Sequence, residues 1–354
     1  MAMSAAIERR LNRHASAALI GGVFFTLSVL FYMSMCNMPC DDRTYAMDAD
    51  VWRRSKNKAF WSDNFLAPSR DLQAKLAILI ISAPGNIHER ATIRETWLKS
   101  VNTKTVLARF VIGTASLDSQ GKDKIQREAL VHKDILTLEG IADSYQELTL
   151  KVLEAFKWLD TNVDFQYALK VDDDSYVRTS NVIAELEHKP KDRLYWGFFD
   201  GRAHVKTSGQ WKETNWILCD TYLPYARGGG YVLSSDLVHF IAHNYLLLET
   251  FVSEDVSVGT WLSPLKIYRH HDQRFDTEYI SRGCSNSYLI THKQSVLKLR
   301  ELHKNFQTTG KLCTTEVVER ASYEYNWNFP PSKCCIRPSS GVRKPGVRPK
   351  QPGL

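Results

Sequence analysis

The chain carries no Asn-x-Ser/Thr acceptor, no Cys-x-x-Cys pair and no internal repeat. The first absence predicts a protein without N-glycans. The second removes the usual sequence sign of a zinc site. The third excludes a solenoid or propeller built from repeated units. Low-complexity sequence is also missing from the body of the chain, whose composition is that of an ordinary globular protein with many aromatics. The formal charge of +7 over 354 residues is modest. Part of the excess lies at the two ends, so it points to no nucleic-acid partner. After Cys335 the chain runs through Arg337, Arg343, Lys344, Arg348 and Lys350 among prolines and glycines, which predicts a disordered basic tail over 338–354.

One further absence sets the expected compartment. Residues 15–35 contain no charged side chain and include Leu19, Ile20, Val23, Phe24, Phe25, Leu27, Val29, Leu30 and Phe31. About 20 such residues span a ~30 Å hydrocarbon core. Arg9, Arg10 and Arg13 precede the run and Asp41 and Asp42 follow it, so residues 1–14 are expected to stay cytoplasmic and the body to be lumenal. A cleaved signal peptide is the alternative, although its apolar stretch is usually shorter. Cys219, Cys284, Cys313, Cys334 and Cys335 then lie where disulfides persist. Five is odd, and the adjacent Cys334 and Cys335 are expected to join different partners. Residues 36–74 read as a polar stem with scattered Trp52, Phe60, Trp61 and Phe65.

From Lys75 to about 337 the pattern alternates strand and helix. Strands are predicted over 76–81, 109–113, 135–138 and 167–171. Helices are predicted over 89–98 and 122–132, and over a segment capped by Asp143 with the stripe Tyr145, Leu148, Val152, Phe156 and Leu159. This order predicts an α/β fold: a single domain with a mostly parallel central sheet flanked by helices. Ligands in such sheets bind beyond the carboxyl ends of the strands.

That rule singles out Asp172, Asp173 and Asp174, which an apolar strand delivers at its carboxyl end. In extended chain Asp172 and Asp174 point the same way. Three adjacent carboxylates repel unless a cation sits among them, and oxygen ligands suit Mg²⁺ or Mn²⁺. Substrate phosphates often complete such a metal shell. A solvated acidic turn, a hydrolase site or a calcium site would read equally well from these residues alone.

Glu254 and Asp255 form a second acidic pair, after Ser253 and before a predicted helix over 256–262. They fit a capped helix start, or a general base facing a reacting carbon from the side opposite the leaving group. Gly228, Gly229 and Gly230 permit positive φ and close backbone approach, or mark a tight turn before a strand. Trp196, Phe198, Phe199, Trp211 and Trp216 could stack on sugar rings or pack a core. His292, after an apolar 288–290, could reach a metal or be a structural histidine.

Seven landmarks together resemble the β-1,3-glycosyltransferases, the family that includes galactosyltransferases and the fringe enzymes. They read Arg90-Ala-Thr-Ile-Arg94-Glu-Thr-Trp97, Arg109-Phe-Val-Ile-Gly113, Asp143-Ser-Tyr145, Leu148-Thr149-Leu150-Lys151, Lys170-Val-Asp-Asp-Asp174, Gly228-Gly-Gly-Tyr231 and Glu254-Asp255-Val256. The resemblance implies a GT-A-like fold, inversion at the sugar carbon, and Mn²⁺ or a similar divalent cation. It implies Asp255 as general base and Asp174 with His292 as metal ligands. Arg90, Arg94, Lys151, Asp172 and Asp173 are then expected to bind the donor. Trp196, Gly229, Gly230 and Glu254 are expected to bind the acceptor.

Further stretches, among them Leu194-Tyr-Trp-Gly-Phe-Phe199, Phe275-Asp-Thr-Glu-Tyr279 and Pro330-Pro-Ser-Lys-Cys-Cys335, are similar to the members of that family that act in the proteoglycan linker region. They imply UDP-galactose as donor and the galactose of a Gal-Xyl unit on serine of proteoglycan core proteins as acceptor. They also imply a Golgi membrane setting and association with other glycosyltransferases of the linker pathway. Gln146 stands where a glycan-bearing Asn is common in those proteins. Another donor, N-acetylglucosamine, or another acceptor is the alternative. A non-catalytic Golgi sugar-binding protein would be the reading if Asp255 or the 172–174 cluster were missing, and both are present.

Overall fold

The computed structural model describes residues 72–338. The expected cytoplasmic segment, the membrane span, the stem up to residue 71 and the basic tail beyond 338 lie outside them; residues 72–74, expected as stem, open the first strand of the domain. No helix among the described residues is long and apolar enough to cross a membrane.

In the first strand, β1 (Leu72–Ile81), residues 76–81 form a continuous, buried apolar run, as a central strand covered on both faces must. Helix α1 (Ile87–Glu95) leads to β2 (Val106–Gly113), α2 (Ser119–His132) and β3 (Ile135–Leu138). Asp118 caps α2 by accepting from the Gly121 N–H at 2.8 Å, and Lys133 ends it in the left-handed conformation at φ 56°. Helix α3 (Leu148–Asn162) buries Val152, Phe156 and Leu159 along one stripe. It starts five residues beyond the expected cap. Asp143 accepts instead from the Gly113 N–H and from Lys151 Nζ, so its carboxylate ties two segments together and caps nothing.

Strand β4 (Val163–Asp172) follows, then β5 (Tyr176–Val177), α4 (Thr179–Leu186), β6 (Leu194–Asp200) and β7 (Tyr225–Ser234). Next come α5 (Ser235–Asn244), α6 (Glu254–Leu262), β8 (Tyr268–His271) and the short strands β9 (Phe275–Asp276), β10 (Gly283–Cys284) and β11 (Ile290–Thr291). Helix α7 (Val296–Thr309) and β12 (Val317–Val318) complete the elements. The main sheet has the order β3-β2-β1-β4-β7-β6-β8. Only β7 runs against the others, pairing antiparallel with β4 and β6, so the expected mostly parallel sheet is present. Chain order reverses between β1 and β4, which opens a crevice at their carboxyl ends.

A small sheet, β5-β11-β9, lies beside that crevice. Its register pairs Thr291 with Tyr176, which brings His292 level with the residues just after β4. The glycine triplet is strand, not loop: Gly228, Gly229 and Gly230 all lie within β7, and none has positive φ. Cys284 bonds Cys313 across 29 residues. Cys334 and Cys335 bond each other, contrary to the expectation of separate partners. Cys219 has no disulfide partner among the described residues.

Candidate active site

The loop after β1 and the acidic end of β4 face each other across the crevice. Asp173 turns toward that loop and accepts from Asn86 Nδ2 at 2.9 Å. Burial, chiefly, raises its pKa to about 6, with the charges of Asp172 and Asp174 adding to the effect. Asp172 and Asp174 turn the other way and meet His292. His292 Nε2 lies 3.3 Å from Asp172 Oδ2 and 2.9 Å from Asp174 Oδ1. These three ligand atoms fall within 4.8 Å of one another. His292 Nδ1 is 2.9 Å from the Glu278 carbonyl. A carbonyl only accepts, so Nδ1 donates and Nε2 is left to face the carboxylates.

The residues fit a divalent cation. His292 Nε2 and Asp174 Oδ1 are buried without a hydrogen-bond partner although they face each other. Such orphaned atoms are rare unless something else satisfies them. Two carboxylates and one imidazole suit Mn²⁺ or a similar ion. Without one, burial disfavours charge on His292, yet Asp172 and Asp174 outweigh it and push its pKa up to about 9.

Close packing places the imidazole. A Cβ on Gly229 would come within 2.5 Å of the His292 ring, so only glycine lets β7 pass beside it. A Cβ on Gly228 would lie 3.2 Å from Asp255 Oδ2. Asp255, at the start of α6, accepts from the Gly228 N–H at 2.8 Å and from the Val256 N–H at 2.9 Å. Burial raises its pKa above the ordinary aspartate value, against the pull of Arg227 and Lys170. Asp255 lines an open cleft of 620 Å³, together with Asp172, Gly229, His292, Tyr145, Arg227 and Trp211. One cleft therefore presents two of the three possible cation ligands, Asp172 and His292, and the Asp255 carboxylate.

Lys170 links the two. It is 1% exposed, and its ammonium donates to Asp172 Oδ1 at 2.8 Å and to the Gly228 carbonyl at 2.6 Å. It also pairs with Glu254 Oε2 at 3.0 Å. Lys170 stands in the Lys170–Asp174 landmark, and that pattern by itself assigns it no role. Its position two residues before Asp172, on the same side of an extended strand, was the available signal.

Several expected ligands serve the scaffold instead. Arg90 is fully buried and engages every guanidinium nitrogen, on Glu128, Ser82 and the Ala83 and Pro84 carbonyls. It holds the loop after β1 and has no donor left for a nucleotide. Arg94 forks onto Asp134, pairs with Glu128 and stacks over Phe110 at 4.7 Å. Lys151 is 2% exposed and donates to the Ser82 carbonyl and Asp143.

On the acceptor side, Trp196 has no exposed surface; its indole N–H donates to Asp272 and its ring packs on Phe275. Glu254 is buried, with Tyr231 donating to one carboxylate oxygen and Lys170 pairing with the other. Gly230 packs between Ile290 and Val171. Of the aromatic cluster, Trp211 is the member that lines the cleft, on the segment between β6 and β7 that also supplies Arg202, His204 and Lys206. In that segment the sequence singles out Trp211 and Trp216, but not Arg202, His204 or Lys206.

A family model described as galactosyltransferase matches residues 88–273. β-1,3-Galactosyltransferase 6 of Mus musculus is 43% identical over 94% of this chain and 98% of its own length. UDP-GalNAc:β-1,3-N-acetylgalactosaminyltransferase 2 of Xenopus tropicalis is 30% identical over 63% of this chain and 44% of its own. Among solved structures, a Pyrobaculum calidifontis mannosyltransferase in complex with GDP-Man and Mn²⁺ overlays 63% of this chain and 61% of its own, at TM-score 0.34 and 9% identity. The family match and the 43% identity along almost the whole length make this chain a member of the galactosyltransferase family, and a galactosyltransferase.

Proposed function

We propose that the enzyme transfers galactose from UDP-galactose, with inversion and in β-1,3 linkage, to the galactose of a Gal-β-1,4-Xyl unit on serine in the glycosaminoglycan linker region. One observation supports the reaction type: Asp172 and His292, two members of the cation-binding group, line the same cleft as Asp255. The name of the mouse relative supports the linkage. Asp172, Asp174 and His292 would hold Mn²⁺ or a similar cation, which when bound neutralises the diphosphate leaving group. Asp255 takes the proton from the acceptor 3-hydroxyl, and the freed oxygen attacks the α-linked sugar carbon in one displacement. The Gly228 and Val256 N–H groups hold that carboxylate in place. Trp211 offers a ring face to a sugar.

The setting we propose is the Golgi membrane, with residues 15–35 as a single uncleaved anchor and the catalytic domain in the lumen. The uncharged run with arginines before it supports this, as does the Cys284–Cys313 bond. Other enzymes of the linker pathway would be neighbours there. A second reading keeps the chemistry and changes the donor to an N-acetylhexosamine, as the name of the Xenopus relative prompts.

The test is a matrix of UDP-sugars against Gal-β-1,4-Xyl and other β-galactosides, with Mn²⁺ and with chelator. Metal-dependent transfer confined to UDP-galactose and the Gal-Xyl acceptor is expected. Transfer of N-acetylgalactosamine instead, or indifference to the xylose, would overturn the specificity.

A further inference from the structure

A second group of potential metal ligands uses none of the residues above. Asp160 lies in the last turn of α3, and its carboxylate is 7% exposed. His239 and His243 stand one turn apart on α5, which packs against α3, and His243 is in the last turn of α5. His239 Nδ1 is 3.0 Å from Asp160 Oδ1, and His243 Nδ1 is 3.3 Å from Asp160 Oδ2. The two rings lie 3.8 Å apart between centroids. All three donor atoms fall within 4.8 Å of one another.

We propose that Asp160, His239 and His243 form a second divalent-cation site, selective for Zn²⁺, that clamps α3 to α5. Three features of the geometry point to a metal. Residues four apart on a helix present two imidazoles on one face. Zinc takes nitrogen and oxygen at about 2.0–2.2 Å, so neighbouring ligand atoms around a tetrahedral ion are separated by about 3.3 Å. Each histidine Nδ1 faces its own oxygen of the Asp160 carboxylate, at 3.0 and 3.3 Å, so a small shift brings both nitrogens and one oxygen to that spacing around a single ion. The last turns of two helices also converge here, and their carbonyl ends favour positive charge.

The donor set explains the selectivity. Two imidazoles and one carboxylate suit a borderline ion such as Zn²⁺, whereas the two carboxylates of the first cluster favour a harder one such as Mn²⁺. The competing account is a hydrogen-bonded helix contact, in which His239 donates to Asp160 and His243 Nδ1 donates to the His239 carbonyl at 3.1 Å. Zinc binding at both nitrogens would replace those two hydrogen bonds with two metal bonds and release the protons they carry.

The experiment uses the full-length chain in detergent, stripped by chelator and titrated with Zn²⁺, with Co²⁺ as the spectroscopic probe. An Asp174→Asn, His292→Ala background removes the first cluster. It should still bind one equivalent of Zn²⁺ and show the visible Co²⁺ band of a tetrahedral site. Adding His243→Ala should weaken that binding by roughly 1,000-fold, beyond the 10–100-fold typical of an outer-shell change. In the otherwise unaltered chain, His243→Ala alone should lower the bound zinc by one equivalent and leave Mn²⁺-dependent transfer unchanged, which guards against a background that folds poorly. Zinc affinity and stoichiometry unaffected by His243→Ala would overturn the proposal and leave the histidines as a hydrogen-bonded helix contact. Loss of Mn²⁺-dependent transfer in that single variant would overturn the separation of the two sites.

Discussion

Replacing Lys170 by Met removes the one charge shared by Asp172 and Glu254 while keeping most of the side-chain length. Breaking a buried ion pair from one side costs about 3–5 kcal/mol, because the partner charge is left without compensation. Two features soften the loss here. Asp172 is 30% exposed and can draw on water, and Glu254 already holds a proton up to about pH 7. The low end, about 3 kcal/mol, is therefore expected. At 2–4 °C per kcal/mol for a domain of this size, the Tm falls by about 6–12 °C.

Activity should fall for a separate reason. The carbonyl of Gly228 accepts from Lys170, and its N–H donates to Asp255. Loss of the first contact frees the segment that holds Asp255, the proposed base. A kcat loss on the order of 100-fold is expected, the lower end of what a positioned base contributes. Lys170→Arg should not rescue, because a planar fork does not fit a cage shaped for an ammonium. Lys170→Met with Glu254→Gln should recover part of the stability and none of the activity. Thermal unfolding and initial rates with saturating Mn²⁺ read both effects. A Lys170→Met enzyme within 2 °C and threefold of the parent would refute the bridging role.

Four other outcomes follow from the same geometry. Asp255→Asn should lower kcat by about 10²–10⁴-fold and leave UDP binding by calorimetry unchanged; near-normal turnover would remove Asp255 as base. Gly229→Ala should push the His292 ring out of place, and a Mn²⁺ titration of activity should shift more than tenfold. Arg90→Met should cost about 3 kcal/mol in denaturant unfolding without a selective rise in KM for the donor; the opposite pattern would restore Arg90 as a ligand. Burial lifts Glu254 to about 7, above the ~4.3 of an exposed glutamate, so folding takes up a proton there. That stabilisation is full below about pH 4 and is lost as pH rises through 7. Glu254→Gln should flatten the decline in unfolding free energy between pH 5 and pH 8, and an unchanged slope would count against it.

The readable parts of the sequence were those in which chemistry is local. Apolar runs fixed the cores of β1 and β4, and the expected 135–138 strand coincides with β3. Alternation along extended chain separated Asp172 and Asp174 from Asp173, and the structure places both beside His292. The unreadable parts depend on partners distant in sequence. Arg90 and Arg94 look like phosphate ligands until the fold supplies Glu128 and Asp134, 34 to 40 residues away. Trp196 and Trp211 are the same residue type; only the sheet decides that one is core and the other faces the cleft. The glycines were legible as backbone approach, but not as strand. Their need for space arises from His292 and Asp255, on other elements.

The configuration of the new linkage tests the central claim most directly. Product formed from UDP-α-galactose should be examined by NMR early in the reaction, before any secondary hydrolysis or exchange. A single displacement, with Asp255 as the proposed base in the cleft that Asp172 and His292 also line, predicts a β-linked galactose on the acceptor 3-hydroxyl and no α product. An α linkage, or a galactosyl group trapped on the enzyme, would contradict a one-step inverting transfer and the role given to Asp255.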